Sequence, residues 1–176
     1  HIVPVAKLKQ CYDMLIPGGK MHNKSLWGKI VGCLIDETMG WIENNDRASD
    51  RLLQREALSE LTSLRGKNAF KLLGEEQDIL QQLFIWMPGN LAIGPANREN
   101  DPEDRFDEVA NIVFFNAHGS NQRMHSEFYK KLSSMIGEKG KTPRGSGREL
   151  NEVVLEFIKE SMAALRKNPG DKNLEE

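Results

Sequence analysis

The chain has 176 residues, of which 39% are hydrophobic and 28% charged, and a formal net charge of −2. That length holds one domain with a real core rather than two, and the near-neutral balance excludes a histone-like binder that depends on bulk positive charge. It leaves room for an enzyme that needs only a local basic strip beside its site. The longest apolar runs, 30–35 and 112–115, are too short to span a bilayer, so no membrane partner is expected. Cys11 and Cys33 stand in apolar surroundings without a Cys-x-x-Cys pair, which points to buried free thiols and not to a zinc knuckle or a disulfide framework.

In chain order, Val5, Leu8, Cys11, Tyr12 and Leu15 recur at helical spacing over 5–16, and Pro17-Gly18-Gly19 stops the helix. A second helix over 25–43 gathers Leu26, Ile30, Cys33, Leu34 and Trp41 on one side. Gly28, Gly32 and Gly40 weaken it in isolation, so packing must hold it, and they offer sites of close helix approach. After the break at Asn44-Asn45-Asp46, Ser49 or Asp50 caps a third helix that runs to about Leu64, with Leu52, Leu53, Leu58 and Leu61 apolar. A short helix over 68–73 follows. Residues 75–86 read as a helix that buries Ile79, Leu80, Leu83 and Phe84, and Glu75, Glu76 and Asp78 suit the dipole of its first turn.

Pro88, Pro95 and Pro102, with Gly89 and Gly94, exclude a continuous helix over 87–102 and leave a short strand at Leu91-Ala92-Ile93. Residues 106–115 fit either a helix or a strand. The polar run after Gly119 reads as a loop leading to a helix over 126–136, and Gly137 to Gly147 reads as a solvated flexible loop. Residues 149–166 are the clearest helix, with Leu150, Val153, Val154, Phe157, Ile158 and Leu165 at helical spacing. The expected fold is mainly α, formally α+β: a helical domain around one or two short strand pairs. Met14, Met39 and Met162 read as core filler and Trp86 as a core anchor.

The residues able to do chemistry cluster in three places. His1-Ile2-Val3-Pro4 reads as a strand end turning into a loop, which puts an imidazole at a strand edge. The stretch from Trp86 to Pro102 concentrates Asn90, Arg98 and Asp101 with prolines and glycines, a composition that aims polar groups at a ligand. His118 and His125 follow, separated by about two helical turns if the segment is helical. Each has a bland counterpart. The histidines read equally as surface residues, Arg98 with Asp101 as a loop-bracing ion pair, and the run Asp101, Glu103, Asp104, Asp107, Glu108 as a helix N-terminus.

His1-Ile2-Val3-Pro4, then Gly89-Asn90-Leu91, then a late histidine before a segment bearing Phe128 and Tyr129, resembles the HNH or His-Me finger nuclease superfamily. Trp86, Asn90, Gly94-Pro95, Arg98 and Asp101-Pro102 bring the resemblance closest to the HNH-like C-terminal toxin domains of bacterial polymorphic toxins, including Rhs-type and type VI secretion effectors. The resemblance implies a small ββα-metal core inside the helical domain and a metal-dependent endonuclease acting on DNA, with RNA as an alternative substrate. It implies that His1 acts as or beside the general base, that Asn90 orients it, and that Arg98 pairs with a phosphate. His125, or else His118, binds a divalent ion (Mg, Mn, Ni or Zn), and Asp101 or Asp107 completes the metal shell or fixes Arg98. Lys139 and Lys141 supply basic contacts to the substrate. It further implies a cognate immunity protein, and release by one bacterium to act in the cytoplasm of another. The sequence reads as a single domain, 1–176, forming the C-terminal part of a larger protein.

Two departures stand out. The second histidine that often precedes His1 in that family is not in the sequence, and the separation of Asn90 from His125 requires an insertion over 100–116. A non-catalytic helical interaction module is the competing reading, in which the 86–102 stretch is a scaffold turn and the histidines are incidental.

Overall fold

Helices form wherever apolar residues recur at helical spacing. The computed structural model describes residues 3, 5–44, 51–87, 120–136 and 145–167, with backbone alone at 120–126 and 164–167. Among these described residues there are six helices: α1 (Val5–Leu15), α2 (Lys24–Asn44), α3 (Arg51–Arg65), α4 (Glu75–Ile85), α5 (Ser120–Ile136) and α6 (Gly147–Lys167). The mainly α expectation holds. The strand expected at Leu91–Ile93, the segment 106–115 and the caps expected at Ser49 or Asp50 lie outside the described residues.

The core is continuous. α6 packs along α2, α5 packs on α6 and α1, and α4 closes over α1 and α2. Tyr12, Phe84, Leu34, Leu132, Leu150 and Val154 are among its most enclosed members. Tyr12 is the hinge of the aromatic part: its ring meets Trp27 edge-on at 6.1 Å and Phe84 at 5.8 Å. Its hydroxyl donates to the Gln77 carbonyl at 3.2 Å, joining α1 to α4. Burial, with Asp13 and Asp78 adding to it, pushes the Tyr12 phenol well above its ordinary range, so it stays a donor.

Several faces differ from the periodicity. In α2 the buried stripe is Trp27, Ile30, Val31, Leu34, Ile35 and Thr38, while Leu26, Cys33 and Trp41 are only half-buried. The stripe is set by Trp27, whose indole N–H donates to the Ala69 carbonyl at 3.0 Å. The α2 glycines mark no close approach: a Cβ at Gly32 or Gly40 would meet nothing within 4 Å. In α3 only Leu61 and Leu64 are buried, and Leu52 and Leu53 are exposed. Residues 68–73 form a turn and not a helix. Asn68 Oδ1 accepts from the Phe70 amide, and the Ala69 carbonyl goes to Trp27, so the groups a helix would use are taken. Trp86 is exposed and not a core anchor; Met87, its neighbour, fills that place at 0% exposure. The helix bearing His125 begins at Ser120, not after the histidine, because the polar run 120–125 contains no proline or glycine to break it. α6 likewise starts two residues before the expected boundary, with the Ser146 hydroxyl accepting from the Glu149 amide at 3.1 Å. Of the methionines, Met162 is buried, and Met14 and Met39 pack half-buried against the core.

The connection between α1 and α2 is held from both sides. The Met21 amide donates to the Met14 carbonyl at 3.0 Å, and Asn23 Oδ1 caps α2 by accepting from the Ser25 and Leu26 amides. His22 sits edge-on to Trp27 and Phe70, with Nδ1 2.8 Å from the Leu15 carbonyl, so Nδ1 carries the proton and donates it. Asn151 of α6, fully buried, donates through Nδ2 to the Met21 carbonyl at 2.8 Å. Among the described residues, His22 is thus a structural histidine.

Cys11 is fully enclosed, and burial pushes its thiol well above the ordinary range. A native titration with a thiol-specific reagent is therefore expected to leave Cys11 unmodified over hours and to modify it promptly in denaturant. Fast modification of Cys11 in the native protein contradicts this packing.

Candidate functional site

The structure places few of the expected site residues. His1, Asn90, Arg98, Asp101, Asp107, His118, Lys139 and Lys141 lie outside the described residues. His125 lies on α5, one turn before Phe128 and Tyr129 in helical register. Among the described residues no group of three or more His, Cys, Asp or Glu side chains is arranged to hold a metal ion.

What the structure does give is the anchoring of the chain beside three of these positions. Val3 precedes α1, follows His1 by two residues and is completely buried. Met87 precedes Asn90 by three residues and is also completely buried. Phe128 follows His125 by three residues and is 4% exposed.

Two of the three anchors meet one stripe of α6. The Phe128 ring lies parallel to that of Phe157, with centroids 3.7 Å apart and planes 7° apart. Met87 Sδ lies 3.5 Å from Ser161 Oγ. The Ser161 hydroxyl also reaches the Ile158 carbonyl at 3.2 Å, the stronger acceptor, so its contact with sulfur is packing more than hydrogen bonding. Phe157 and Ser161 are one turn apart, about 6 Å along the helix axis. Three residues of chain reach at most about 11 Å. Met87, the last described residue before Asn90, and Phe128, on the helix that bears His125, therefore sit on neighbouring turns of α6. α1, which Val3 precedes, packs against α5.

A second feature lies on the opposite side of α4. α2, α3 and α4 enclose an open groove of about 610 Å³. Its floor is Trp41, Ile42, Ile79 and Leu83, with the exposed Trp86 at one end, and Glu60, Glu75 and Asp78 stand on its rim. A further hollow of about 600 Å³ between α3 and α4 shares Glu60, Glu75 and Ile79 with it and adds Glu56 and Glu76. Lys67 is the only cation among the described residues lining either hollow, and it is bonded to Glu76. That hydrogen bond, followed by the Lys67 charge, holds the Glu76 carboxyl below the usual glutamate range. Its contribution to stability is present above the ordinary glutamate pKa and lost as pH falls through the lowered one, and solvent keeps it small.

Sequence reasoning missed Asn151, Gly147 and the groove. Asn151 had a signal, a lone amide next to Leu150 on the apolar face of the clearest helix. The groove had none, because Ile79 and Leu83 read as ordinary core positions of α4. No family model, curated protein or solved structure matches the chain.

Proposed function

We propose that the protein is a metal-dependent endonuclease that hydrolyses phosphodiester bonds in DNA, of the HNH or His-Me finger type that its sequence resembles. The observation that carries the reading is the shared anchoring of two distant sequence patches. Met87 and Phe128, each three residues from a proposed site residue, pack on successive turns of α6. Patches far apart in sequence need such common footing if their polar residues are to act on one phosphate. In this reading His1 serves as or beside the general base, Asn90 orients it, and Arg98, Lys139 and Lys141 hold the phosphate backbone. His125, with His118 or Asp101, holds a divalent ion. When bound, that ion stabilises the charge that builds on the scissile phosphate. The toxin setting, with a cognate immunity protein and action inside a competitor's cytoplasm, belongs to the same proposal and rests on the sequence resemblance alone.

The test is cleavage of supercoiled plasmid in Mg²⁺, Mn²⁺, Ni²⁺ or Zn²⁺ against excess EDTA, with a structured RNA in parallel. Metal-dependent nicking is expected, and it is expected to vanish in His125→Ala while circular dichroism shows the helices intact. Cleavage of RNA alone establishes the ribonuclease alternative. No cleavage of either substrate, or cleavage unchanged in His125→Ala, overturns the assignment.

A further inference from the structure

The groove between α2, α3 and α4 has a floor of carbon and a rim of carboxylates. Trp41, Ile42, Ile79 and Leu83 form the floor, and Trp86, 54% exposed, extends it. Glu60, Glu75 and Asp78 have no cationic partner among the described residues. The dipole of α4 accounts for Glu75 and Asp78, which stand in its first turn. It does not account for Glu60 and Glu56, which lie along α3 and carry the acidic rim into the neighbouring hollow.

We propose that this groove docks a basic amphipathic helix of a partner protein. The apolar floor calls for an apolar stripe, and rim carboxylates without a cation among the described residues call for lysines or arginines flanking it. An acidic or neutral partner would leave those charges repelled or desolvated without compensation. A strand is the poorer fit, because the groove walls are helices and offer no sheet edge to extend. The volume lies within the ~300–1,000 Å³ of small-molecule pockets, but the groove is open and its charged lining residues are all acidic, which suits a basic helix. The docked helix would lie against Trp86, next to the buried Met87, at the head of the stretch that carries Asn90.

The probe is a fluorescently labelled peptide of about 18 residues, leucine at positions i, i+3, i+4 and i+7 and lysine elsewhere. Anisotropy is read in EDTA, so the result does not depend on whether the protein cleaves nucleic acid. Saturable binding is expected, weakened roughly tenfold by Glu60→Gln with Asp78→Asn. Weakening is also expected in Trp86→Ala and at raised salt. Glu156→Gln with Glu160→Gln, on the exposed side of α6, is expected to leave affinity unchanged. Equal binding of a scrambled peptide of the same composition, no binding, or equal weakening by the α6 pair overturns the proposal. So does self-association of the protein that Trp86→Ala abolishes, which would make a second copy the occupant.

Discussion

Phe157→Ala is expected to lower the free energy of unfolding by about 3–5 kcal/mol, the cost of truncating a fully enclosed aromatic. Phe157 is 2% exposed, and its ring covers that of Phe128. The stack is nearly face to face, so little of the loss comes from the quadrupole, which prefers offset or edge-on rings. Most comes from lost burial and the cavity left beneath Phe128. For a chain of this size the midpoint temperature should fall by roughly 6–20 °C. Phe157→Leu, which keeps most of the volume, should cost less than half as much. Urea denaturation of the three proteins checks both figures. A loss under about 1 kcal/mol for the alanine variant would mean that α5 does not sit on α6 as described. The same variant bears on the proposed chemistry, since α5 carries His125 and takes its footing from Phe157. Activity should therefore fall below what the folded fraction alone predicts.

Gly147→Ala should destabilise by about 2–3 kcal/mol although alanine is the better helix former. A Cβ at this position would lie 2.8 Å from the Met21 carbonyl oxygen and 3.1 Å from its carbon. Helix preference offers at most about 1 kcal/mol, and less at the first residue of α6 than in its interior. The clash acts on backbone that cannot step aside without loosening the Asn151 hydrogen bond to the same carbonyl. Gly19→Ala should behave alike, since its Cβ would run into the Met14 and Asp13 carbonyl oxygens. Thermal unfolding followed at 222 nm is the measurement. An unchanged or raised midpoint for Gly147→Ala would show that α6 does not approach the α1–α2 connection so closely.

The helices were legible because each repeats apolar residues at the period a helix requires, and α1, α2 and α4 end within about two residues of the expected boundaries. The faces were less legible. Periodicity says that one stripe of α2 is buried, but Leu26 and Trp27 both fit it, and a partner decides between them. That partner is the Ala69 carbonyl, which claims the indole N–H. Leu52 and Leu53 read as apolar positions of the third helix alongside Leu58 and Leu61, yet both are exposed. Met87 and not Trp86 is the buried residue because adjacent residues at a helix end point to different sides, and composition does not say which side is inward. Of the candidate site, the residue types and their order were readable. Their mutual distances were not, since those depend on packing such as Phe128 on Phe157 and Met87 beside Ser161, pairs joined by no local pattern.

The hydrogen bond from Asn151 to Met21 joins residues 130 positions apart. A ribosome adds about 5–20 residues per second, so on the order of 10 seconds separates the emergence of the α1–α2 connection from that of the helix that covers it. For that interval the face of α2 along which α6 packs has no finished core to enter. The early helices must wait, partly exposed, for α6 to complete their burial. A chain cut between α4 and residue 147 would keep the contacts of α4 with α1 and α2 but lack the helix that packs along α2 and carries α5. Such a fragment should bind chaperones or aggregate, while the chain that includes α6 folds as a unit.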